Sequence, residues 1–131
     1  DEGRGVTQDY AEAAKWYRLS AEQGRAWAQY KLGEMYDEGR GVEQDYAEAA
    51  KWYGLAAEQG VVAAQYNLGL MHIQGRGIAQ DDILAHVWFN IAASNGSSDA
   101  LNNRDIVEKA LTAEQVLKAQ KIAKEWTQSG S

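Results

Sequence analysis

Between Asp9 and Gln23 the apolar side chains fall at Tyr10, Ala13, Ala14, Tyr17 and Ala21, spacings that set them on one stripe of an α-helix. Trp16 and Ser20 widen that stripe to a second face, as expected of a helix with neighbours on two sides. Asp9 is placed to accept a backbone N–H as N-cap, and Glu12 suits the other half of a capping box. Gly24 then supplies the left-handed residue that ends the helix. A second helix is predicted from about Arg25 to Glu38, with Ala28, Leu32 and Met35 on one side, and Gly39-Arg40-Gly41 terminates it and turns the chain back. The predicted unit is an antiparallel helix pair.

The pattern then returns. Residues 1–36 align without gaps on residues 37–72, with 27 identities and nine differences. A drifted third copy runs from Gly75 to Gly96, so Trp16, Trp52 and Trp88 recur every 36 residues, as do Gly24, Gly60 and Gly96. A fixed period of this size marks a solenoid, whose units bury their faces against one another. Gly33 and Gly69 fall inside predicted helices, where glycine costs about 1 kcal/mol relative to alanine. The expected compensation is close approach by a neighbouring helix bearing Trp or Tyr. A last helix is predicted over about 113–127 from the capping-box start Thr112-Ala113-Glu114-Gln115. Its inner stripe is Val116, Ala119, Ala123 and Trp126, and Lys118, Lys121 and Lys124 form a solvated outer face that closes the array.

Composition narrows the functional classes. The 131 residues fit one domain, and 45% hydrophobic with 24% charged residues is ordinary for a globular chain. No apolar run approaches the roughly 18 residues of a membrane span. There is no cysteine, hence no disulfide and no thiolate chemistry, and the compartment is left open. A net charge of −6 disfavours binding to a phosphate backbone, so no nucleic-acid partner is expected. The triplets Gly3-Arg4-Gly5, Gly39-Arg40-Gly41 and Gly75-Arg76-Gly77 recur at the period and are predicted to be inter-helix turns, not an RNA-binding tract. His72 takes the place of Tyr36, which predicts a packing or groove-edge role, and His86 is given a surface or packing role, with no H-E-x-x-H or Cys-His cluster in the chain. Asp81-Asp82 is read as an N-cap followed by a first-turn charge, and Asn95-Gly96-Ser97 as a turn although it fits a glycosylation sequon. No catalytic residue, metal ligand or cofactor site is predicted.

The stretches A-x-A-Q-Y-x-L-G-x-M-Y, G-x-G-V, D-Y-x-x-A-x-x-W-Y and A-A-x-Q-G resemble the Sel-one-like repeat (SLR) family, a relative of the tetratricopeptide repeat, from about Asp1 to Gly96. Departures are Asp82 and Phe89 for Tyr in the third copy, and residues 97–108, which lack the Q-Y-x-L-G core. The resemblance implies an all-α, right-handed α-α superhelix of antiparallel helix pairs. In the family's phasing, residues 1–24 are the second helix of a partial repeat, 25–60 and 61–96 are full repeats, and 97–131 are capping helices. It also implies an interaction scaffold that binds a partner protein or peptide in a groove lined by the first helices. A start in mid-repeat leaves Trp16 and Tyr17 without a first-helix partner, so self-association through that face, or a longer native array, is expected. Two other readings are a hydrolase acting on a β-lactam or cell-wall compound, as linked to some cysteine-rich relatives, and a module that assembles end to end. The chain has neither cysteine nor the S-x-x-K of serine β-lactamases.

Six of the nine differences between the long copies fall on the first helix: Arg25/Val61, Ala26/Val62, Trp27/Ala63, Lys31/Asn67, Glu34/Leu70 and Tyr36/His72. Positions 27, 31 and 34 share a helix face away from Ala28, Leu32 and Met35. The predicted partner-binding residues are Trp27, Tyr30, Lys31, Glu34, Asp37, Tyr66, Asn67 and Leu70. Aromatic anchors in a polar surround suit a peptide, and the acidic average surface favours a neutral-to-basic one.

Overall fold

The structure, a computed structural model, describes the backbone of residues 2–129 and the side chains of residues 9–129. Over that span the chain forms seven helices and no strand: α1 (Glu2–Glu22), α2 (Ala26–Glu38), α3 (Tyr46–Glu58), α4 (Val62–Gln74), α5 (Asp82–Ser94), α6 (Ser98–Glu108) and α7 (Ala113–Ser129). It is an all-α solenoid. Each of α1 to α5 packs on the next, and α7 packs on α5. The last helix thus folds back over the preceding hairpin, with Ala119 and Ala123 buried against Val87 and Ile91 and the Trp126 ring 5.5 Å from Trp88. Lys118, Lys121 and Lys124 face solvent, as the pattern predicts.

Helix ends follow local chemistry. Asp45, Asp81 and Ser97 each accept the backbone N–H three residues on, at 3.0–3.1 Å. Thr112 and Gln115 make both halves of a capping box, at 2.9 and 3.1 Å. The Asp45 box is not reciprocal: its own N–H goes 3.0 Å to Tyr36 O, closing the loop, and Asp81 repeats this with His72 O. Gly24, Gly60 and Gly96 adopt the predicted positive φ at the ends of α1, α3 and α5.

The first copy departs from expectation. Helix α1 starts at Glu2, so Asp9 is not an N-cap and Gly3-Arg4-Gly5 is helical instead of a turn. The reason is visible in the later copies. There the loop is held on a preceding helix: Gly41 lies against the carbonyl of Tyr10, Arg40 spans the Tyr10 ring at 5.3 Å, and Arg76 spans Tyr46 at 5.1 Å. Among the described residues no helix precedes Gly5, and its segment continues the helix it adjoins.

Two devices bind unit to unit. The first is the glycine contact. A methyl on Gly33 would come within 2.7 Å of the Tyr53 ring, and one on Gly69 within 2.5 Å of Phe89. Both rings are buried, each stabilising the array by about 2 kcal/mol or more. The second is a ladder of buried amides. Gln29 donates to Ala21 O at 3.2 Å and accepts from Gln59 at 2.8 Å; Gln65 donates to Ala57 O at 3.1 Å and accepts from Asn95 at 3.2 Å. Asn95, an exposed residue, has its amide held in the turn that its sequence suggested.

Candidate functional site

The first helices of the pairs, α2, α4 and α6, form one wall. On α2 the Trp27 side chain is 60% exposed, and the Tyr30 ring lies 5.6 Å from it. Lys31 sits between them, its Nζ 4.8 Å from the Trp27 centroid and 5.9 Å from that of Tyr30. The same ammonium pairs with Glu34 at 3.2 Å, and the Tyr30 hydroxyl donates to Glu34 at 3.1 Å. Burial first, then the Glu34 carboxylate, pushes the Tyr30 phenol up to about 12. Asn67 reaches the Tyr30 hydroxyl from α4. Five of the predicted residues (Trp27, Tyr30, Lys31, Glu34 and Asn67) therefore meet in one patch.

The other three are placed differently. Leu70 joins Ile73, Phe89, Asn103, Ile106 and Val107 around an apolar cavity of about 140 Å³ between α4 and α6. Tyr66 stacks 5.8 Å from Phe89, and its hydroxyl accepts from Asn103 at 3.1 Å. Asp37 accepts from the Tyr53 hydroxyl at 3.2 Å, and burial followed by this carboxylate pushes the Tyr53 phenol strongly up. Asp37 and Tyr66 thus have partners within the framework. Ile106, 63% exposed, was overlooked in the sequence because residues 97–108 lack the Q-Y-x-L-G core, yet it stands 36 residues after Leu70. Asn103 stands in the same relation to Asn67, so the period itself carried the signal.

Variation between the copies also has local causes. Arg18 donates to the Tyr36 hydroxyl and lies 5.6 Å from its ring; in the next copy both partners change together, to Gly54 and His72. His72 donates instead through Nδ1 to Ala79 O at 3.2 Å, a packing role. Lys31 and Glu34, besides touching Trp27 and Tyr30, line a crevice of about 240 Å³ with Tyr10, Ala13, Tyr17 and Met35.

Among the described residues no group of three or more His, Cys, Asp or Glu is gathered to hold a metal, and no helix is long and apolar enough to cross a membrane. His86 pairs through Nε2 with Glu108, 2.8 Å away on α6, an acidic partner brought to it from another helix. The ring is fully buried and its Nδ1 has no hydrogen-bond partner, so neither nitrogen faces a space where a substrate could sit.

The Sel1 repeat matches residues 1–24, 28–61 and 62–97. Among solved structures, a protective antigen of uropathogenic Escherichia coli with an SLR fold superposes with a TM-score of 0.86 at 37% identity, over 90% of this chain and 26% of that one. A Sel1 repeat protein from Oxalobacter formigenes superposes with a TM-score of 0.71 at 35% identity, over 73% of this chain and 40% of that one. The chain thus spans between a quarter and two fifths of the length of these structures. Comparison with curated proteins gives no match. With three repeats matched and the helix pairs in place, the chain belongs to the Sel1-repeat family.

Proposed function

We propose that this chain is an interaction scaffold whose first-helix wall docks a segment of a partner protein. The observation that carries the reading is a wall of apolar anchors not covered by this chain: Trp27 at one end, and the cavity beside Leu70 and Ile106 at the other. Sel1-repeat proteins serve in general as protein-interaction scaffolds, which agrees with that surface. Anchors of this kind, surrounded by polar groups, give most of the binding energy in protein interfaces. Lys31, Glu34 and Asn67 supply the polar contacts between the anchors, and Asp37 and Tyr66 keep the wall in shape. A cavity of about 140 Å³ suits one aliphatic side chain of the partner.

The test is affinity capture with the native chain and with Trp27→Ala and Ile106→Asp variants, each checked by thermal melting. Partners retained by the native chain and lost by both variants at unchanged Tm support the reading. Equal capture by all three proteins refutes it.

A further inference from the structure

The repeat ends each of its second helices on the same turn, spelled Gln23-Gly24, Gln59-Gly60 and Asn95-Gly96. The third is the one place in the sequence where glycine follows asparagine. Both amides are thermolabile, but they differ in the ring through which they are lost. The backbone nitrogen that follows asparagine reaches the side-chain carbonyl carbon through a five-membered ring, and glutamine needs a less favourable six-membered one. A following glycine carries no side chain to obstruct the approach. The letter change at position 95 therefore brings in a reaction that the other two copies disfavour.

The native turn holds that reaction back. Asn95 is the C-cap of α5, with φ −97° and ψ 13°. At this ψ the Gly96 nitrogen nearly eclipses the nitrogen of Asn95 and is turned away from the Asn95 side chain, so the ring closes only after the bond rotates. The attacking N–H is also engaged, donating to Ala93 O at 3.0 Å, and the next one, of Ser97, donates to Ala92 O at 3.0 Å. The departing amide nitrogen donates to Gln65 Oε1 at 3.2 Å. All of these contacts lie at a helix end whose cap residue is exposed, the part of a structure that opens most readily.

A carboxylate does not fit the place that the amide holds. Gln65 is fully buried and its Nε2 is committed to Ala57 O at 3.1 Å, so its Oε1 faces position 95. A carboxylate there offers acceptors to an acceptor, and turning the Gln65 amide over only moves the same conflict to Ala57 O. The new charge also stands at the negative end of α5, and Glu58 borders the same crevice of about 210 Å³. We propose that Asn95 is a deamidation site guarded by the native turn, and that its conversion loosens the link running from α5 through α4 to α3. The Gly96 nitrogen gives its proton to solvent and bonds to the Asn95 side-chain carbonyl carbon, and Nδ2 leaves as ammonia. Water then opens the succinimide at either carbonyl, leaving aspartate or, with the side-chain methylene now in the main chain, isoaspartate. The net change is amide plus water to carboxylate plus ammonium. This inference is independent of the docking role given to the first-helix wall.

The test incubates the 131-residue chain in mildly alkaline buffer, folded and unfolded in guanidinium chloride, and locates the mass gain by peptide mapping. Conversion at Asn95 is expected in both, at least about tenfold slower in the folded chain, since several hydrogen bonds must open first. Gln65→Ala, which frees the leaving amide, should speed it about fivefold in the folded chain, well below its Tm. Asn95→Gln should abolish the mass gain in that peptide. Asn95→Asp, made directly, should lower Tm by roughly 3–6 °C, with circular dichroism showing the helices intact. Absence of conversion at Asn95 in the unfolded chain, equal rates in the folded and unfolded chains, no acceleration in Gln65→Ala, or an Asn95→Asp Tm equal to the native one would each overturn the proposal.

Discussion

Replacing Gly69 with alanine tests the close approach that joins one unit to the next. In the interior of an ordinary helix this change stabilises by about 1 kcal/mol, because alanine loses less backbone entropy on folding. Here the new Cβ would stand 2.5 Å from Phe89 Cε1, 2.6 Å from Cδ1 and 2.9 Å from Cζ, all below van der Waals contact. The Phe89 ring is buried in a cluster with Ala85, Ala92 and Ala100, and the cavity it lines beside Leu70 and Ile106 can relieve only part of the overlap. Overpacking of this kind costs about 1–3 kcal/mol, and after the propensity gain of about 1 kcal/mol a net loss of up to about 2 kcal/mol remains. That corresponds to a Tm lower by up to roughly 8 °C for a chain of this size. The structure provides its own control: Gly54, inside α3, has nothing within 4 Å of its would-be Cβ. Gly54→Ala should therefore raise stability by about 1 kcal/mol. Urea denaturation followed by circular dichroism measures both, and adding Phe89→Leu to Gly69→Ala should recover part of the loss. Stabilisation by Gly69→Ala equal to that of Gly54→Ala would show that the rings do not press on the glycines, and the account of how the units join would fail.

Three further outcomes follow from the same contacts. Gln65→Ala removes the buried side chain that links Ala57 O to the Asn95 amide, and should cost about 1–2 kcal/mol in denaturant titration because two hydrogen bonds are lost, while Ala57 O keeps the Gly60 N–H. Gly77→Ala should cost about 2–4 kcal/mol, as it combines a φ of 75° with a contact against the Tyr46 carbonyl, whereas Gly96→Ala, with nothing within 4 Å, costs only the backbone strain. Tyr30 keeps its proton to about pH 12 and Tyr53 holds its own more strongly, while an unfolded tyrosine loses its proton near 10. The unfolded chain therefore binds fewer protons than the folded one above pH 10, so stability is full below that pH and falls as pH rises through 12. Melting curves from pH 9 to 12 should show the decline, and Tyr53→Phe should flatten it.

Much of this architecture was legible because the repeat states it several times. Helix positions, the glycine contacts and the caps at Asp45, Asp81 and Thr112 all follow from residues that recur or from local capping chemistry. The start of α1 did not follow, because the later turns are held by contacts outside the motif, such as Gly41 against the Tyr10 carbonyl, and the letters Gly3-Arg4-Gly5 do not state them. The role of Gln29 and Gln65 was equally hidden: a polar residue beside a tyrosine reads as surface until its amide is seen bridging two units. For the candidate site, letter differences between copies pointed to Trp27, Lys31 and Glu34, but the same differences included Tyr36 and His72, which change for packing reasons. Differences alone do not separate a surface that varies for a partner from one that varies because its neighbour has changed. The 36-residue offset that leads from Leu70 to Ile106 is the better guide.

The central claim, that the first-helix wall holds the partner, is tested most directly by mapping the chain's amide resonances with a captured partner segment bound. The account predicts shifts confined to α2, α4 and α6, largest near Trp27, Asn67, Leu70 and Ile106. Shifts confined to α3, α5 and α7, with the first helices unmoved, would contradict it.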